Sequence, residues 1–80
     1  MDDSDIVRQI NQLAIHEHEL EERAAHNPLS ADERAALSEV EVQLDQCWDL
    51  LRQRRARRAA GQNPDEAEVR SAAIVENYKQ

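Results

Sequence analysis

The stretch LDQCWDLLRQRRARR, residues 44–58, decides the fold. Leu44, Cys47 and Leu51 continue a series that starts at Leu37 and Val40, with steps of 3, 4, 3 and 4. That spacing puts every member on one stripe of a helix, the pattern of a seam against a partner helix. The same stretch then turns basic: Arg52, Arg54, Arg55, Arg57 and Arg58 fall within seven positions. Upstream, SADE at residues 30–33 is a capping box that starts this helix at about residue 31. Downstream, Gly61, the one glycine, suits the left-handed position that ends it at about residue 60.

A second seam lies ahead of the first. Ile6, Ile10, Leu13, Leu20 and Ala24 step by 4 and 3, with Glu17 filling the one polar place in the series. Ser4 is the expected N-cap, and Pro28 stops this helix near His26, because the residue before proline avoids helical angles. Two helices, about 5–26 and 31–60, joined by four residues, pack antiparallel. In the expected register Leu20 faces Leu37, Leu13 faces Leu44, Ile10 faces Cys47 and Ile6 faces Leu51.

The second helix is too apolar for one neighbour. Leu37, Leu44, Cys47, Trp48, Leu50 and Leu51 span roughly 160° of its circumference, wider than a two-helix seam uses. Something else must cover Trp48 and Leu50. One candidate is the tail, residues 61–80. There Asn63-Pro64 opens a turn, and Ser71 caps a short helix at about 72–78 that offers Ile74, Val75 and Tyr78. The other candidate is a second copy. The expectation is therefore a single all-α domain over residues 1–80: an antiparallel hairpin with a short C-terminal helix folding back, paired into a four-helix homodimer.

Composition bounds function. Eighty residues bury a modest core, which favours partnering. The net charge of −7 argues against general nucleic-acid binding, yet residues 52–58 carry +5 and leave −12 elsewhere. One cysteine excludes an intramolecular disulfide. The acidic start MDDSDIVRQ has no apolar run, and no segment approaches the roughly 20 apolar residues of a membrane span, so a cytoplasmic protein is expected, with no membrane contact.

With the helices and tail laid out, the sequence resembles the small actinobacterial proteins grouped as domain of unknown function family 2630. The matching features are EHEL at residues 17–20, EVQLDQCWDLLRQRRA at 41–56, and NPDEAEVR followed by VENY. The resemblance covers nearly the whole chain and implies a single-domain protein. It brings no activity, cofactor or catalytic residue.

Each candidate site has a plainer structural reading. The arginines Arg52, Arg54, Arg55, Arg57 and Arg58 suit phosphate or an acidic partner. They also sit at a helix C-terminus, where cations favour the dipole, and the hairpin brings Asp2, Asp3 and Asp5 beside them. No aromatic residue interleaves with them to stack on bases. His18, Glu22 and His26 stack at intervals of four, but off the seam, as residues of a solvated face. Glu17 is the buried polar candidate, read as a register-setting group bonded to a His or Arg of its own chain or across a dimer. Cys47 reads as a small buried hydrophobe. No catalytic set, metal site or cofactor site emerges. The leading expectation is a noncatalytic interaction or regulatory module acting through an unidentified protein partner, with Trp48, Leu50 and the five arginines as its surface. Binding of RNA or another phosphate-rich ligand through the arginines is the weaker one.

Overall fold

The structure is a computed structural model that describes residues 1–79, with side chains as far as Val75. Helix α1 spans Asp3–His26 and helix α2 spans Ala31–Ala59; a 3-10 turn at Pro64–Glu66 and a short helix α3, Ala72–Lys79, complete the chain. The described residues form an all-helical, elongated molecule of 50 × 25 × 17 Å.

Local chemistry sets each boundary. The Ser30 hydroxyl accepts from the Glu33 amide at 3.1 Å, and the Glu33 carboxylate accepts from the Ser30 amide at 3.0 Å. At the start of α1 the cap is Asp2, not Ser4. Asp2 and Asp5 close a reciprocal box at 2.9 and 3.2 Å, so an acidic pair does what a Ser–Glu pair does at α2. Ser4 lies inside the first turn because Asp2 captures the N3 amide first. Helix α2 ends with Gly61 at φ +73°. The Gln62 amide donates to the Arg57 carbonyl at 2.7 Å and the Gly61 amide to the Arg58 carbonyl at 3.1 Å. This is the Schellman arrangement, and its left-handed residue favours glycine.

Helices α1 and α2 pack side by side and antiparallel. Ile6, Ile10, Cys47, Leu50 and Leu51 form the core, with Leu13, Leu44 and Ala67 packed against it. Polar pairs mark both ends of the hairpin. Arg23 Nη1 donates to Glu33 Oε2 at 2.6 Å near the connection, and Arg54 Nε donates to Asp3 Oδ1 at 2.6 Å at the open end. Each buried aliphatic side chain contributes about 1.5–3 kcal/mol, so a core of this size leaves a narrow margin over chain entropy.

The tail takes a different path from the one its apolar residues predict. Leu50 is buried, but Trp48 remains 45% exposed. Of the tail residues, Val75 is 1% exposed whereas Ile74 is 51% exposed. The expectation placed on Tyr78 lies outside the described side chains. The cause is polar. Gln46, Asp49 and Gln53 form one stripe of α2 at i, i+3 and i+7, and they tie down the extended residues leading into α3. Gln46 donates to the Arg70 carbonyl at 3.2 Å, Gln53 donates to the Glu68 carbonyl at 2.9 Å, and Arg70 grips Asp49. Trp48 lies about 130° around the helix from this stripe, so the tail passes on the far side of it.

Candidate functional site

The five arginines are largely engaged within the chain. Arg54 is buried and joins three segments: Nε meets Asp3 Oδ1, and Nη1 meets Asp65 Oδ1 at 2.9 Å and the Pro64 carbonyl at 3.1 Å. Arg58 donates to the second oxygen of Asp3. Arg57 lies 3.5 Å from Glu66, and Arg52 lies 4.0 Å from Asp49. The Arg54 guanidinium holds the Asp3 carboxyl below its ordinary range, with Arg58 assisting. Arg55 is exposed and has no ion pair among the described residues.

Asp49 is the polar residue that sequence reasoning missed. It is fully buried, a charged side chain in the interior of α2. Arg70 Nε donates to its Oδ2 at 2.8 Å, a second Arg70 nitrogen donates to Oδ1, and Gln53 Nε2 donates to Oδ2 at 3.0 Å. These donors, Arg70 first, pull its carboxyl below the ordinary range despite burial, which pushes the other way. A buried carboxylate with a forked guanidinium and an amide around it is satisfied, and that makes it a structural clamp.

Glu17 is half-buried rather than enclosed. Among the described residues no hydrogen bond or ion pair reaches it, so no His or Arg partner lies within the described part of its own chain. Its surroundings are acidic. Desolvation raises its carboxyl above the ordinary range, and Glu21, Glu41 and Asp45 add to the effect. His18 and Glu22 pair at 3.1 Å on the outer face of α1, both well exposed. Among the described residues no group of three or more histidines, cysteines or acids is placed to hold a metal ion. Burial raises the Cys47 thiol above its ordinary range, the opposite of an activated nucleophile.

The hairpin therefore has two unlike flanks. On one, the tail covers α2, and a cleft of about 240 Å³ is lined by Ile6, Gln9, Gln43, Cys47, Leu50 and Val69. On the other, Trp48 is open, in line with Glu41 two turns before it and Arg55 two turns after it. Glu41 and Glu17 interact across the helices on this side. No helix among the described residues is long and apolar enough to cross a membrane.

Comparison with known proteins agrees with the resemblance in the sequence. The uncharacterized protein Rv0898c of Mycobacterium tuberculosis strain H37Rv is 46% identical over 77 residues, covering 95% of this chain and 88% of that protein. The uncharacterized protein Mb0922c of Mycobacterium bovis matches with the same identity and coverage. No solved structure is significantly similar. The family described as "Protein of unknown function (DUF2630)" matches residues 2–80, and the chain belongs to that family.

Proposed function

We propose that the protein is a noncatalytic helical interaction module of the cytoplasm that works as a homodimer and presents helical faces to a protein partner. The observation that carries this reading is Trp48. It is the one tryptophan, it is 45% exposed on the flank the tail leaves open, and its neighbours along α2 are charged. An aromatic residue within a polar rim is the composition of a contact surface.

The arginine end supports the alternative, binding of a phosphate-rich ligand, less well. Arg54 is buried, and Asp3, Asp49, Asp65 and Glu66 lie against four of the five guanidinium groups. A phosphate would have to displace these intramolecular acids.

Light scattering coupled to size-exclusion chromatography tests the reading. The expected mass is about twice the 9.2 kDa of the chain. A 9.2 kDa species at tens of micromolar, together with salt-sensitive binding of a short RNA, favours the alternative.

A further inference from the structure

The open flank carries charges of opposite sign at equal distances from Trp48. Glu41 is seven residues before it and Arg55 seven residues after it, each about 10.5 Å along the helix. Seven residues are nearly two full turns, so the three side chains form one line along α2. Both charged residues are exposed, and neither has an ion pair among the described residues. Glu17 and Glu21 on α1 lie near Glu41 toward the inter-helix connection, while Arg55 stands at the open end, within electrostatic reach of Asp3, which Arg54 and Arg58 already pair.

A surface with this pattern complements itself. Turned by 180° about an axis through Trp48, its acidic end lies over its basic end, the requirement for an isologous contact. We propose that a second copy of the chain docks here, with α2 antiparallel to α2, Trp48 beside the twofold axis, and Glu41 of each copy against Arg55 of the other. This rests on the interaction-module reading and identifies the face and orientation it uses. The contact places two hairpins face to face as a four-helix bundle, with charged residues beside the apolar seam setting the register. The arrangement also brings Arg55 of the second copy toward the end of the flank where Glu17 lies near Glu21 and Glu41.

Charge reversal of the full chain tests it. Glu41→Arg sets two repulsive contacts in place of two attractive ones and should weaken self-association on the order of tenfold. Arg55→Glu should weaken it similarly. Arg55→Glu also adds a negative charge near Asp3, so the decisive readout is the mixture. Equimolar Glu41→Arg and Arg55→Glu chains should form a heterodimer of near wild-type affinity in sedimentation equilibrium, because both reciprocal contacts then join opposite charges. A wild-type dimer whose affinity is unmoved by Glu41→Arg, or variants that do not complement each other on mixing, overturns the proposal while leaving the interaction-module reading in place. A wild-type chain that stays monomeric at tens of micromolar overturns both the proposal and the homodimer in that reading.

Discussion

Asp49 and Arg70, 21 residues apart in the chain, meet through two guanidinium contacts on a carboxylate that has no exposure to solvent. This pair decides where the tail goes. It holds the residues before α3 on the polar stripe of α2, buries Val75, and leaves the opposite flank with Trp48 uncovered.

Replacing Asp49 by Ala should release the tail. The cost should be roughly 2–3 kcal/mol, below the ~3–5 of a fully enclosed pair because Arg70 keeps part of its side chain in water. In a domain this size that lowers the melting temperature by roughly 10 °C or more. The local sign is a tryptic cut after Arg70, slow in the wild type and fast in the variant. Unchanged cleavage and melting show that the clamp does not hold the tail.

Acid should destabilise the fold. Asp49 and Asp3 are held below the ordinary aspartate value by Arg70 and Arg54, and Glu33 is lowered chiefly by the Ser30 amide. Carboxyls lowered in the folded state add stability that is fully present above their unfolded values, near 3.8 and 4.5, and is lost as pH falls through the folded ones. Melting temperature should be level near neutrality and fall below about pH 4. Asp49→Asn should flatten the acid limb. A wild-type melting temperature that rises on acidification contradicts the assignment.

Glu17 has the opposite sign. Desolvation and neighbouring acids raise its carboxyl, so its ionised form costs stability at neutral pH, and that cost disappears as pH falls below the unfolded value near 4.5. Glu17→Gln should raise the melting temperature by a few degrees at pH 7 and leave it nearly unchanged at pH 4. A drop at pH 7 shows that the carboxylate is bonded, as the seam position alone predicts.

The helical hairpin was legible because its signals are local. Ser30 and Glu33 lie three residues apart, and Leu37 to Leu51 repeat at helical spacing. The route of the tail was not, for a physical reason. The width of an apolar arc shows that α2 needs more cover but not which edge receives it. That choice falls to Gln46, Asp49 and Gln53, ordinary surface residues by type, whose partners lie across a loop. Their shared stripe, with an arginine at the tail position opposite, was the available signal. The cap at Asp2 is hard to read from sequence because Asp5, three positions on, closes the box where glutamate or glutamine is usual. For Glu17 the seam position fixes depth but not the charges around it.

The central claim, that the Trp48 flank closes on a second copy, is tested most directly by the emission of that single tryptophan. At tens of micromolar the chain should show the blue-shifted maximum of a buried indole, shifting to the red on dilution at the concentration where the mass falls from dimer to monomer. The Glu41→Arg chain should make the same shift at higher concentration. A solvent-like maximum at every concentration, with the mass at 9.2 kDa throughout, would contradict the account.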